Sequence, residues 1–130
     1  MNKLPQIVYT VKWSVTVIKF IINLNSKKMK KMEKMNFGAA IEALKNGKKV
    51  SRIGWNGKGM YIWLVPGTTI KSEWCKEHHL KSIAEKNGGE IEALGVIRMI
   101  TADKKILTGW LASQTDMLSE DWIIVNPEIE

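Results

Sequence analysis

The order of elements along this chain predicts an α+β fold: an N-terminal helix and a second helical segment packed on a mostly antiparallel sheet, in a single small domain. Three observations carry that expectation. An amphipathic stripe at 37–44 gives way at once to strand-like runs on either side of an Asn-Gly step. A second helical stretch is followed by another strand–turn–strand pattern. A tryptophan-bounded segment, WLASQTDMLSEDW at 110–122, then leads into a short β-branched run before Pro127. There are no internal repeats. A chain of 130 residues with 45% hydrophobic and 25% charged side chains is long enough for one modest core.

The first 34 residues read as a separate piece. They hold eight lysines and one acid, Glu33, whereas residues 35–130 hold twelve basic and twelve acidic side chains. The net charge of +7 therefore belongs to the extension, and the neutral domain has no excess charge to suggest a nucleic-acid duplex as partner. Within the extension, residues 7–24 are apolar over about the length of a membrane span. Lys12 and Lys19 interrupt the run, and each costs roughly 2.5–3.5 kcal/mol near a bilayer centre, so a membrane anchor is disfavoured. The β-branched alternation of Val8, Thr10, Val15 and Val17 predicts a strand here, followed by a basic low-complexity linker at 23–34. No small-residue cleavage site follows, which argues against a secretory signal. Met32-Glu33 must be encoded as AUG followed by GAA or GAG, a GGA-containing purine run just upstream of Met35. A translation start at Met35 is accordingly expected, with an accessory strand or anchor as the alternatives.

From Met35 each element has its own signal. Phe37, Ala40, Ile41 and Leu44 fall on one face of a helix, with Asn36 as N-cap and Gly47 just past its end. A strand is expected over 49–54, then an Asn-Gly hairpin turn at 55–59. MYIWLV at 60–65 is the return strand, apolar enough to be buried on both faces, and Pro66-Gly67 ends it. Residues 69–87 place Ile70, Trp74, Leu80, Ile83 and Ala84 at helical spacing, and Asn87-Gly88-Gly89 stops that helix. A strand at 91–100 with a kink near Gly95 turns through 102–105 into a strand at 106–110. Residues 123–125 form a closing strand.

Chemistry-bearing motifs are few. Cys75 is the lone cysteine, which excludes an internal disulfide and suits a reducing compartment. Cys75, His78 and His79 share a helix face, but without a further ligand at the right spacing they read as a polar surface and not a metal site. No phosphate-binding, zinc-protease or nucleophile-elbow motif occurs. Asp116, Glu120 and Asp121 could serve as an acid/base pair or as turn carboxylates. Residues 110–122 fit neither a half-buried strand nor a buried helix. Two tryptophans enclosing Ser113, Gln114, Thr115 and Asp116 could wall a pocket for a flat polar ligand, or form a turn and short helix capping the core.

Four stretches in order, RxGWNGKGM at 52–60, LVPG at 64–67, TAD at 101–103 and WLASQTDMLxEDW at 110–122, resemble the Thoeris anti-defence 2-like domain family of phage and prophage proteins. The resemblance covers about residues 35–125 and none of the basic extension. It implies a homo-oligomer in the bacterial cytoplasm, a tetramer by family precedent, that takes up cyclic ADP-ribose isomers made by TIR-domain enzymes. The nucleotide would be sequestered whole between protomers, with no cofactor, no metal and no cleavage, and cyclic dinucleotides could fill a second site. On residue chemistry, Trp55 and Trp110 are expected to stack a base, with Phe37 as a further contact. Arg52, the backbone of Asn56, Gly57, Lys58 and Gly59, and Arg98 suit phosphate, and Ser113, Gln114 and Asp116 suit hydroxyls or a base edge. Trp63, Met117 and Trp122 are assigned to the core. The chain departs from the commonest family pattern between Thr68 and Gly95, where many members carry an extended loop. A nucleotide lyase or hydrolase and a protein-binding inhibitor of a defence effector are the competing functions.

Overall fold

A computed structural model describes residues 12–30 and 32–126, the side chains of 25–30 excepted. The chain divides into two compact units, residues 1–32 and 33–130.

The first unit holds helix α1, Val15–Lys30. The expected strand is absent from its described part, and the helix runs well into the stretch expected to be a linker. The physical reason begins at Ser14, whose Oγ accepts from the Val17 amide at 3.2 Å while its carbonyl takes the Ile18 amide at 3.0 Å. That capped first turn lets Val15, Val17 and Ile18 propagate a helix despite their β-branching. Residues 7–11, where the strand-like alternation began, lie outside the described residues.

The second unit is built on one antiparallel five-stranded sheet. Its α2, Phe37–Lys45, starts where Asn36 Oδ1 accepts from the Ala39 amide at 2.9 Å, and it stops at Gly47, whose φ of 79° only glycine adopts cheaply. Ala40, Ala43 and Leu44 are buried, with Phe37 and Ile41 half-buried beside them, as the stripe predicts. The strands are β1 (Val50–Arg52), β2 (Tyr61–Val65), β3 (Thr68–Lys71), β4 (Glu90–Ala93), β5 (Val96–Ile100), β6 (Ile106–Thr108) and β7 (Trp122–Ile124). The main sheet runs β6-β5-β2-β1-β7. Met35 extends its β7 edge, exchanging two backbone hydrogen bonds with Trp122 at 2.8 and 3.1 Å. The core lies on the α2 side: Ala40, Ala43, Leu44, Val50, Ile62, Met99 and Trp122.

Between Thr68 and Ala93 the expected long helix is instead a strand, a 3-10 turn (Ser72–Trp74), helix α3 (His78–Lys86) and a returning strand. The β-branched run Thr68-Thr69-Ile70 pairs with Glu92, Ile91 and their neighbours, and that pairing outweighs the helical spacing. These two strands prolong the β2–β5 pair beyond a break. At the break Gly67 faces Gly95: a β-carbon on Gly67 would sit 2.7 Å from the Ala93 carbonyl oxygen and 3.2 Å from the Gly95 amide. The insertion is thus the tip of the central hairpin, folded into its own two-stranded sheet under α3. The kink near Gly95 is this break.

The Asn-Gly step is not a two-residue turn. Val50 pairs with Ile62, so residues 53–60 form a long loop. Its left-handed residue is Gly59, at φ 74°, and Asn56 and Gly57 keep negative φ. The loop is closed by Ser51, whose hydroxyl donates to the Met60 carbonyl at 2.6 Å. The return strand is only half-buried apart from Ile62, because α2 covers one sheet face. Among the described residues, no helix is long and apolar enough to cross a membrane.

Candidate functional site

The site grows from residue 116. Helix α4, Gln114–Leu118, is only five residues long and is held by a capping box: Ser113 Oγ accepts from the Asp116 amide at 3.1 Å, and Asp116 Oδ2 accepts from the Ser113 amide at 3.0 Å. With one carboxylate oxygen used locally, Asp116 turns the other to distant partners. Its Oδ1 accepts from Arg52 Nη1 at 2.8 Å and from the Trp55 indole at 3.0 Å. Its backbone carbonyl accepts from the Trp122 indole at 2.9 Å. One residue therefore orients two tryptophans and an arginine.

Arg52 completes the lattice by donating from Nε to Asp121 Oδ1 at 2.9 Å, and Asp121 Oδ2 accepts from the Gly54 amide at 2.7 Å. The Arg52 and Asp116 side chains are each only 11% exposed, so these are largely desolvated, hydrogen-bonded charges. Burial alone would raise the Asp116 carboxyl; bonds from the Trp55 indole, Arg52 and Ser113 outweigh it and hold the group at about 2. Asp121 is likewise held below the usual carboxylate range, chiefly by Arg52. The guanidinium is raised in turn by Asp121 and then by Asp116.

Around this lattice stand the indoles. Trp122 is fully buried at the centre. Trp55 meets it edge-on at 5.3 Å between ring centroids, Trp110 at 6.2 Å, and Phe37 packs obliquely at 5.5 Å. Trp55 and Trp110 also meet each other edge-on at 6.1 Å. Both, with Phe37, are half-buried, so the cluster has a sealed centre and an accessible rim. Trp110 is anchored through its amide to the Ile97 carbonyl at 2.9 Å. Next to it in sequence Leu111 is 88% exposed; on α4 Leu118 is 79% exposed, and Met117, expected in the core, is exposed because the short α4 turns that side outward.

The expected residues divide into groups. Phe37, Arg52, Trp55, Trp110 and Asp116 are joined in one network, with Ser113 as its cap and exposed Gln114 at the start of α4. Asn56 and Lys58 are exposed on the loop, and Gly57 packs on the 101–105 turn, where a β-carbon would come within 2.7 Å of Ala102 Cβ. Arg98 is not brought to the indoles. Ile97 and Met99 face the core, so alternation puts Arg98 on the opposite sheet face, between Trp63 and Thr108 on its neighbours. Its Nε is buried without a hydrogen-bond partner among the described residues. Trp63 is half-buried on that same outer face, 5.8 Å from Tyr61.

Two members of the lattice escaped sequence reasoning, Gly54 and the structural role of Asp121. Arg52 and Asp121 lie 69 residues apart, and no local pattern announces such a pair. A separate open cleft of about 530 Å³ lies at the start of α2, lined by Lys34, Met35, Asn36, Ala39 and Glu120. None of the expected site residues lines it. Among the described residues, no cluster of three or more His, Cys, Asp or Glu side chains could hold a metal ion.

Fold and site define a small α+β module in which a tryptophan cluster packed on the core face of an antiparallel sheet is locked by an Arg–Asp lattice. The chain belongs to the Thoeris anti-defense 2-like domain family, whose model matches residues 35–125. It is similar to Thoeris anti-defense 2 of Bacillus phage SP01, with 43% identity over 93 residues that span 72% of this chain and 97% of that protein. The family is one of anti-defence proteins. The stretches that carry the resemblance are also those the fold ties together: 52–60 to 110–122 through Arg52 and Gly54, and 52–60 to 101–103 through Gly57.

Proposed function

We propose that the protein disarms a nucleotide-based defence by binding a cyclic ADP-ribose isomer and holding it intact, with no turnover. The observation that carries this reading is the half-exposed pair Trp55 and Trp110, fixed edge-on around a buried third indole. An adenine stacked on such a rigid face gains about 1–3 kcal/mol. Because the indoles are already immobilised, little ordering entropy is spent on binding. Gln114 and the Ser113 hydroxyl suit ribose hydroxyls or the base edge, and Lys58 with the amides of the 56–59 loop suits a pyrophosphate.

Within this reading Arg52 and Asp116 position the wall and do not grip the ligand. Arg52 Nε and Nη1 are taken by carboxylates, and Asp116 is ionised and engaged at both oxygens. A carboxyl held near 2 is a poor proton carrier at neutral pH, which suits Asp116 to positioning the wall and not to acid/base work. The exposed apolar side chains Leu111, Met117 and Leu118 in the segment that follows Trp110 suit a second copy closing the pocket, in a homo-oligomer in the host cytoplasm. Arg98, on the far sheet face, would act only at a separate position, such as a second nucleotide site.

Equilibrium dialysis against cyclic ADP-ribose isomers tests the reading. The wild-type protein is expected to retain one of them. Trp110→Ala is expected to remain folded, though with a lowered unfolding temperature because Trp110 packs on Trp55 and Trp122, and to bind at least tenfold more weakly from the loss of one stacking face. Unchanged retention by that variant would remove Trp110 from the site. No retention by the wild type would favour a protein-binding inhibitor instead.

A further inference from the structure

Helix α1 lies outside the stretch matched by the family model, and its surface is unusual for a soluble helix. Among the described residues, Val15, Val17, Ile18, Phe20, Ile22 and Leu24 are 40% to 68% exposed, and Trp13, just before the helix, is 54% exposed. Thr16, Lys19 and Asn23, at i, i+3 and i+7, form one narrow polar stripe. At about 100° per residue the apolar positions over residues 15–24 sweep roughly 220° of the circumference. The sequence then continues with lysines at 27, 28, 30 and 31, and residues 1–34 carry eight lysines against one glutamate.

The geometry points to an anionic lipid surface as the partner of this helix. The 15–24 part of α1 lies along the bilayer with its broad apolar face in the headgroup–acyl boundary and Lys19 rising to the phosphates, and the lysine-rich sequence after it adds positive charge that favours a negative leaflet. Among the described residues α1 is too short to span, since 16 residues of helix reach about 24 Å against a hydrocarbon core of about 30 Å. Pairing with a second copy of α1 is the competing occupant. A two-helix seam uses a narrow stripe at positions a and d, and an apolar sweep this wide would stay mostly in water. A parallel pair would also set two lysine clusters side by side. Lipid accommodates both the width and the charge.

The test uses the full 130-residue chain and sedimentation with vesicles of phosphatidylcholine, either alone or mixed with phosphatidylglycerol. Binding is expected only to the mixed vesicles and should weaken as salt is raised. Each lysine near such a surface is worth about fivefold in binding, so replacing Lys27, Lys28 and Lys30 together by glutamine should weaken it about a hundredfold. Phe20→Asp should also release the protein from mixed vesicles while leaving the thermal unfolding of the 33–130 unit unchanged. Equal binding to neutral vesicles, no binding to either, or a Phe20-dependent change in oligomer size with no lipid binding would each overturn the proposal.

Discussion

At the scale of single residues, Asp116 has the most to do. Its side chain and carbonyl together bind Arg52, the Trp55 indole, the Ser113 amide and the Trp122 indole, so the shape of the aromatic rim depends on one carboxylate being ionised. That dependence has a definite sign. The folded-state value of about 2 lies below the ordinary 3.8, so the stabilisation is fully present above about pH 5 and is lost as pH falls from about 4 through 2. A shift of this size corresponds to roughly 2 kcal/mol at neutral pH. Urea unfolding followed by tryptophan fluorescence should show stability falling steeply below pH 4. Asp116→Asn should lose about 2 kcal/mol at pH 7 and show a shallower acid decline, with Asp121 accounting for the slope that persists. An acid decline as steep in the variant as in the wild type would show that the lattice is organised around some other group.

At the scale of elements, the break in the central hairpin is the most demanding feature. Gly67 approaches the Ala93 carbonyl so closely that a β-carbon there must displace backbone, and no flexible side chain can yield instead. Gly67→Ala should therefore cost about 1–3 kcal/mol, read as a lowered thermal midpoint. Gly88→Asn would be a milder control, since Gly88 has open space and only its φ of 85° is demanding. The same elements show what was legible in the sequence. Helix α2 could be read in full because its cap, stripe and terminating glycine are all local. The 102–105 turn was equally clear, since a short hairpin signal needs only neighbours, and the closing strand was legible from its β-branched run although its partner β1 is distant in sequence. The segment from Thr68 was misread because Ile70 and Trp74 satisfy a helical spacing while long-range pairing with β4 decides the outcome. Residues 15–24 were misread in the opposite sense: alternating β-branched residues suggest a strand, but no partner strand in the described residues competes with a capped helix. For the candidate site, Trp110 could be nominated from its polar surroundings and Trp55 from the family resemblance. The ties of Arg52 to Asp116 and Asp121 could not, because they bridge 64 and 69 residues.

At the scale of the whole molecule, the chain joins a charge-neutral α+β unit of the Thoeris anti-defense 2-like family to a lysine-rich helix outside the family's stretch. In the neutral unit the Arg52–Asp116–Asp121 charge cluster fixes indoles that, Trp122 apart, remain only half-buried. The proposed function reads this arrangement as a wall for a flat ligand held intact. The most direct test is to load the protein with a cyclic ADP-ribose isomer, remove what is unbound, denature the complex and identify the released nucleotide by mass spectrometry. Recovery of the cyclic compound unchanged, in amount proportional to protein, is the predicted result. Recovery of a linear or hydrolysed product would contradict the account and make the protein an enzyme.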